Sequence, residues 1–221
     1  MEKALIIGAS GGIGSAISSA LQARGVAVTG LSRRDHGLDV TDEASVAEHL
    51  GALEGPFDLV FVSTGALEIN GAEPEKTLRH LSPNAMLDQF KLNTIGPALV
   101  LKHSVRLLPR RAPATFAALS ARVGSIGDNR LGGWYSYRTA KAAVNQMLHG
   151  AAIELARTHK ELTCVALHPG TVQTAFTEKY VGHNPSVPPS EAAENLLNVL
   201  DGLTPADTGK FFDWQGKEVP W

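Results

Sequence analysis

The sequence has little of what disulfide-stabilised or membrane-spanning proteins need. Cys164 is the only cysteine among 221 residues, so an internal disulfide is excluded. Its neighbours at positions 165–167 are apolar, which favours a buried structural thiol and a reducing compartment. No apolar run is long enough to span a bilayer, and the run that follows Met1 is too short for the core of a signal peptide. We therefore expect a cytoplasmic protein that does not enter a membrane.

A large excess of one charge is also missing. The chain holds 20 Lys and Arg against 22 Asp and Glu, a formal net charge of -2, and this balance does not favour nucleic acid as a partner. Hydrophobic residues make up 43% of the chain and the mean hydropathy is -0.03, values that are typical of a globular protein. A chain of 221 residues can bury a core of its own, so we predict a single domain over residues 1–221.

Metal ligands are equally sparse. His168 follows an apolar strand and could be taken for a ligand or a base, but no second His or Cys lies at ligand spacing from it. We therefore predict no metal site, and we interpret His168 as a structural residue at the end of its strand.

Glycine, in contrast, is plentiful and clusters after the first apolar segment. Residues 4–7 predict a short strand buried on both faces, and the glycine-rich residues 8–14 lead into a helix that Gly25 would cap. Because a glycine turn between strand and helix lets the backbone approach a diphosphate, and because the helix amides stabilise its charge, this order predicts an NAD(P) site. Its predicted members are Gly8, Ser10, Gly11, Gly12, Ile13 and Gly14.

The end of the second strand bears on the choice between NAD and NADP. NAD-specific proteins of this architecture place an acid here, where it holds the ribose hydroxyls. This chain instead has Arg33 and Arg34, and a guanidinium suits the 2′-phosphate of NADP. NADP is therefore the expected cofactor, with Arg33 as its contact, while the adjacent Asp35 leaves NAD open as an alternative.

A tyrosine and a lysine, Tyr137 and Lys141, lie four residues apart and share one face of a predicted helix. A tyrosine hydroxyl has an ordinary pKa of about 10, and a nearby positive charge lowers that pKa so that proton transfer at neutral pH becomes possible. Taken alone, this spacing is more typical of a packed aromatic ring with a neighbouring lysine. The pair gains its significance from the other motifs.

Together these motifs resemble the short-chain dehydrogenase/reductase family over essentially the whole chain. The glycines follow the spacing G-x-x-x-G-x-G, and Asn93, the Tyr137 and Lys141 pair and the turn at residues 169–170 come in the family's order. Residues 124–126, 132–135 and 216–221 are similar to its C-factor and sniffer-like carbonyl reductase branch. The alternation of strands and helices and the resemblance both predict an α/β fold with a doubly wound, mainly parallel sheet, a Rossmann-type single domain.

The resemblance also implies which further residues meet the cofactor. An aspartate at the end of a third strand caps the adenine pocket, the segment after the next strand passes the ribose, and a Pro-Gly turn meets the nicotinamide. In the ribose segment the family's two asparagines are replaced by Val62 and Ser63. The residues implied in this way are Asp39, Val40, Ser63, Thr64, Gly65, Tyr137, Lys141, Pro169, Gly170, Val172 and Thr174.

The family's catalytic serine does not transfer directly. The family ends the strand at residues 115–119 in a serine pair whose second member contacts the substrate oxygen, but this chain has Ala121 in that position. Ser120 is the predicted catalytic serine, and Ser125 is the alternative contact to the substrate. The resemblance further implies that Asn93 kinks its helix and holds a relay water.

The implied activity is reversible hydride transfer between NADP(H) and a small-molecule carbonyl or alcohol. Tyr137 would be the acid, and Lys141 would lower its pKa and bind the ribose. The interval between Thr174 and the helix near Ser190 is short, which implies an open substrate site. By kinship we expect a homodimer or homotetramer.

Two alternatives remain open at this point. A cofactor-binding signalling protein with little turnover is suggested by the C-factor resemblance, by the replaced asparagines and by Ala121. A sugar-nucleotide epimerase is the weaker rival, because such enzymes need a larger carboxyl-terminal substrate lobe than this length provides.

Overall fold

The computed structural model describes residues 1–174, 177, 179–180 and 185–221, and within them six strands form one sheet. The strands follow the order β2-β1-β3-β4-β5-β6, and every neighbouring pair is parallel. The topology reverses direction beside β1, the position where doubly wound sheets open a crevice. The strands are β1 (Lys3–Ile7), β2 (Ala27–Leu31), β3 (Leu59–Val62), β4 (Ala114–Leu119), β5 (Leu162–His168) and β6 (Phe211–Asp213).

Helices cover both faces of the sheet, as parallel strands require. A π-helical turn, Lys91–Ile95, joins two of them without a break. None of the helices in the described ranges is long and apolar enough to cross a membrane. The helices are α1 (Gly12–Ala23), α2 (Arg33–His36), α3 (Glu43–Gly51), α4 (Pro83–Phe90), α5 (Gly96–Ser104), α6 (Tyr135–Leu155) and α7 (Pro189–Gly202).

The core lies in two layers, one on each side of the sheet. Successive strand residues point to opposite faces, so Leu5 and Ile7 pack with α3, α5 and α6, whereas Ala4 and Ile6 pack with α1 and α7. Phe61 and Phe116, both fully buried, belong to different layers. Burial on both faces explains why the central strands β1 and β3 are almost unbroken apolar runs in the sequence.

The predicted doubly wound fold is confirmed, and its element boundaries agree closely. The strands expected at residues 4–7 and 59–62 form there, the first one residue longer. Gly25 has a φ of +80° and follows α1 with a hydrogen bond from its N–H to Gln22 O, as a left-handed cap requires.

The third strand expected to end at Asp39 does not form. Residues 38–40 are irregular in the structure, although Leu38 and Val40 are buried. The Asp39 carboxylate accepts hydrogen bonds from the Thr41 N–H at 2.9 Å and the Thr41 hydroxyl at 2.8 Å, which turns the chain into α3. The prediction of a strand was wrong because this side chain makes a local turn where a strand would need a ladder partner.

Candidate active site

A cavity of about 320 Å³ opens at the carboxyl ends of the central strands, within the size range of ligand sites. It is walled by the glycine turn, by the ends of β3, β4 and β5, and by the start of α6. Most of the residues predicted from the sequence meet here. They are Gly11, Gly12, Ile13, Ser63, Thr64, Gly65, Ser120, Tyr137, Lys141, Pro169, Gly170, Val172 and Thr174.

The glycine turn is packed too closely for side chains. Gly8 has a φ of +87°, and a Cβ on it would lie 2.8 Å from Ser63 Oγ. A Cβ on Gly14 would meet the Gly8 carbonyl oxygen, and one on Gly12 would lie 2.7 Å from Thr174 Cγ2. No side chain caps α1 at Gly11, so its first-turn amides are left for an anion. This cradle fits a dinucleotide diphosphate.

Ser63, which replaces one of the family's asparagines, and the adjacent Thr64 take different roles. The Ser63 hydroxyl donates to Ile7 O at 2.9 Å and lies 3.2 Å from Gly8 O, so it ties the end of β3 to the glycine turn. The Thr64 hydroxyl is buried and has no hydrogen-bond partner in the described part of the chain. Ser63 therefore supports the cradle, and Thr64 supplies an unpaired group to the cavity.

The two arginines after β2 differ in whether their charge is already paired. The Asp35 carboxylate accepts from Arg34 Nε at 2.7 Å and from the Ser32 hydroxyl at 3.1 Å, and the Arg34 hydrogen bond is the main reason that its pKa is lowered. The Arg33 side chain makes no hydrogen bond or ion pair within the described residues, although its charge reaches Asp39. The acid that could have favoured NAD is thus already paired, whereas one guanidinium is available for a phosphate.

Several predicted cofactor residues lie outside this cavity. Asp39 is held by Thr41, and the Val40 side chain would be 3.0 Å from a Cβ on Gly96. Both lie on the segment between α2 and α3, which contributes no residue to this cavity. The predicted residues that do not line the cavity are Gly8, Ser10, Gly14, Arg33, Asp39, Val40, Asn93 and Ser125.

Tyr137 and Lys141 are both buried in the first two turns of α6. Lys141 Nζ donates to Leu119 O at 3.0 Å and lies 5.7 Å from the centroid of the Tyr137 ring. Burial lowers the pKa of Lys141 to about 8, and burial raises the pKa of Tyr137. The lowered tyrosine pKa predicted from the spacing is therefore wrong for this structure, because loss of solvent disfavours the phenolate. Tyr137 is a phenol at neutral pH, ready to donate a proton.

Asn93 sits in the π-helical turn between α4 and α5, fully buried. Its Oδ1 accepts from Ala66 N–H at 3.3 Å, and its Nδ2 donates to Ala66 O at 2.9 Å. A Cβ on Gly65 would lie 2.8 Å from Asn93 Oδ1 and 3.5 Å from Lys141 Nζ. Asn93 and Lys141 therefore approach the same glycine, and the widened turn provides the expected irregularity in the helix.

The structure separates the two candidate serines. Ser120 lines the cavity beside Tyr137 and Lys141, and its buried hydroxyl has no partner among the described residues. The Ser125 hydroxyl instead donates to Pro220 O and accepts from the Asp128 N–H. Ser125 therefore fastens the carboxyl-terminal tail, and its predicted contact with substrate is not supported.

Two supporting residues, Gln89 and Glu75, were not predicted from the sequence. Gln89 accepts from Asn93 Nδ2 at 2.6 Å and donates to Leu67 O at 2.8 Å, which fixes the asparagine. Glu75 is buried and accepts from the N–H and hydroxyl of Ser136, so its carboxyl group satisfies a first-turn N–H at the start of α6. The spacing of four from Asn93 could have indicated Gln89, but Glu75 lies in an irregular stretch that carries no such signal.

His168 lines the cavity, and its Nδ1 has no partner in the described ranges. Burial and, to a lesser extent, the charge of Arg122 lower its pKa to about 4, so the ring is neutral.

The short lid expected between Thr174 and α7 lies partly outside the described residues, at positions 175, 176, 178 and 181–184.

Comparisons with known proteins agree with this geometry. The family model described as short chain dehydrogenase matches residues 36–184. The 1-hydroxy-2-glutathionyl-2-methyl-3-butene dehydrogenase of Rhodococcus sp. (strain AD45) is 31% identical over 237 aligned positions that cover both chains completely. C-signal of Myxococcus xanthus is 36% identical over 62% of this chain and 78% of its own length. The NADPH-bound carbonyl reductase from chicken fatty liver has a similar fold, with a TM-score of 0.85 and 23% identity, over 100% of this chain and 94% of that one.

The burial of Lys141 predicts a pH-dependent stability. Its pKa falls from 10.5 in the unfolded chain to about 8 in the fold, so between these values the unfolded state binds more protons and stability rises with pH. We expect the free energy of unfolding of the wild type, minus that of Lys141→Met, to rise by about 1 kcal/mol per pH unit in this interval. Urea unfolding at several pH values measures it, and a constant difference would contradict the buried cation.

Proposed function

Because the chain belongs to the short-chain dehydrogenase family of oxidoreductases, we propose that it uses NADP(H) to interconvert a small-molecule carbonyl compound and its alcohol. One observation carries the proposal. Tyr137, Lys141 and the unpartnered hydroxyl of Ser120 line the same cavity at the carboxyl ends of the strands. The family predicted from the sequence is confirmed, and the match to C-signal agrees with the predicted branch.

The residues present fit NADP. The glycine cradle and the uncapped first turn of α1 would hold the diphosphate, and Arg33 would pair with the 2′-phosphate. The unpaired hydroxyl of Thr64 and the turn at Pro169 and Gly170 would meet the ribose and the nicotinamide. A protein of the same fold holds NADPH, which supports this choice. When bound, the cofactor supplies or accepts the hydride.

The chain's own residues bind the substrate oxygen and supply the proton that it takes up. In reduction, the substrate oxygen would be held by the Ser120 hydroxyl, which has no competing partner among the described residues. As the carbonyl carbon gains a hydride, the oxygen gains negative charge and takes the proton of Tyr137, whose raised pKa keeps that proton in place until then. The products are an alcohol and a tyrosinate.

Lys141 and Asn93 would restore the tyrosine proton. Lys141, with a pKa of about 8, is mostly charged at neutral pH and stabilises the tyrosinate that reduction leaves behind. A Cβ on Gly65 would lie near both Asn93 Oδ1 and Lys141 Nζ, so Asn93 Oδ1 would accept from a relay water held beside the lysine. In oxidation of an alcohol the same groups act in reverse.

A signalling protein that binds the cofactor with little turnover is the second candidate, favoured by the similarity to C-signal. Against it stands the complete set of Ser120, Tyr137 and Lys141 around one cavity, because a binding protein has no need of a poised phenol. The homodimer or homotetramer and the cytoplasmic location stay predictions.

Replacing the phenol tests the proposed reaction. The wild type should oxidise NADPH with small aldehydes, ketones or quinones, and Tyr137→Phe should lose this turnover by on the order of 10²- to 10⁴-fold while NADPH binding, measured by fluorescence, is retained. Tyr135→Phe, two residues earlier on α6 and outside the cavity, is the matched control and should stay active. Undiminished turnover in Tyr137→Phe contradicts the mechanism, and stoichiometric binding by a wild type that turns over no substrate favours the signalling protein.

Cofactor choice is tested by the two arginines. Arg33→Ala removes the available guanidinium and should weaken NADPH binding by roughly ten- to a hundredfold, with little change for NADH, because a hydrogen bond between charged groups contributes about 1.5–3 kcal/mol. Arg34→Ala is the control, since Arg34 already pairs with Asp35. Titration of both cofactors by fluorescence decides the matter. Equal losses of affinity for NADPH and NADH in Arg33→Ala would contradict the assigned contact between Arg33 and the 2′-phosphate.

A further inference from the structure

A second cavity, of about 240 Å³, lies on another face of α6. It is enclosed by α6, by the turn after β4 and by the last residue of the chain, Trp221. It shares no lining residue with the cavity around Tyr137. The lining residues are Gly124, Ile126, Ala142, Asn145, Gln146, His149 and Trp221.

Both cavities contain buried side-chain polar atoms that have no hydrogen-bond partner. In the described part of the chain five such atoms occur, and three of them, on Thr64, Ser120 and His168, line the cavity assigned to NADP and substrate. The other two are the amide nitrogen and oxygen of Asn145, which lines the second cavity and is 2% exposed. The other buried side-chain nitrogen and oxygen atoms in these ranges are paired, so the unpaired ones need a further partner, which a ligand in the cavity can supply.

The remaining walls define the chemistry of that ligand. No lining side chain is a lysine, arginine, aspartate or glutamate, and the carboxyl end of Trp221 already accepts from the Gly127 N–H at 2.8 Å, so a neutral molecule is favoured. His149 Nδ1 lies 2.8 Å from Gly209 O and must donate to it, which makes Nε2 the acceptor nitrogen. Trp221 meets the His149 ring edge-on at 5.6 Å and stacks on Phe211 at 6.1 Å, which provides an aromatic wall.

We propose that this second cavity binds a small, neutral, planar molecule with an adjacent hydrogen-bond donor and acceptor, of the carboxamide or lactam class. Its polar edge pairs with the amide of Asn145, which offers two donors and one acceptor oxygen. Its flat body lies against Trp221, and Ile126, which is 77% exposed, forms the rim. The site is independent of the proposed oxidoreductase activity, because no residue of the catalytic cavity takes part.

Benzamide is a suitable probe, with toluene as its counterpart that lacks the amide. Ligand-observed NMR on the protein, with and without saturating NADPH, should show benzamide bound about tenfold more tightly than toluene, with no competition from NADPH. Asn145→Leu should remove this preference, whereas Asn198→Leu, the same change at an exposed position of α7, should keep it. Ala142→Leu, which fills the cavity from α6, should abolish binding of both probes.

Several results would overturn the proposal. Equal binding of benzamide and toluene, or no binding of benzamide, would leave an apolar crevice that holds water only. Displacement of benzamide by NADPH would place the probe in the catalytic cavity. A change of oligomeric state in Asn145→Leu, seen by sedimentation equilibrium, would show that a second copy of the chain completes the amide's hydrogen bonds. Persistence of the benzamide preference in Asn145→Leu would equally exclude the assigned contact.

Discussion

The buried ammonium of Lys141 is the constraint on which the site depends. A cation in a protein interior is costly unless it is hydrogen-bonded, and here the carbonyl of Leu119 at the end of β4 accepts from it at 3.0 Å. The contact requires α6 to pass close to the ends of the strands. Glycines make that passage possible, because a Cβ on Gly124 would lie 2.8 Å from the Lys141 Cβ. The same contact that fixes the helix also brings Tyr137 to the end of β4, beside Ser120.

Burial shifts the pKa values of Tyr137 and Lys141 in opposite directions, and this difference suits a reductase. Loss of solvent raises the pKa of the Tyr137 phenol and lowers that of the Lys141 ammonium, because burial favours the neutral form of each group. The acid therefore holds its proton until negative charge develops on the substrate oxygen, and the lysine remains charged enough to stabilise the tyrosinate. Pairs of groups whose environments shift their pKa values in opposite directions are a recurring basis of acid and base catalysis.

Much of the fold and part of the site could be predicted from the sequence, for physical reasons. Strands buried on both faces are unbroken apolar runs, as at Leu59–Val62, and a positive φ at Gly25 needs glycine. The predictions that were wrong depended on forces that sequence patterns do not carry. Asp39 made a local turn with Thr41 where a strand end was expected, and desolvation outweighed the charge of Lys141 at Tyr137. Contacts between distant segments, such as Ser125 with Pro220, had no signal in the sequence.

The assignment of Ser120 and Tyr137 to the substrate oxygen is tested most directly by the two serines. The measurement is kcat for NADPH-dependent carbonyl reduction by Ser120→Ala and Ser125→Ala, together with their free energies of unfolding. Removal of a donor to a developing oxyanion costs about 10²- to 10³-fold in kcat, so Ser120→Ala should lose that much while remaining as stable as the wild type. Ser125→Ala should keep its kcat and lose about 1 kcal/mol of stability, because its hydroxyl holds the tail. The opposite pattern, with kcat lost in Ser125→Ala and retained in Ser120→Ala, would contradict the account.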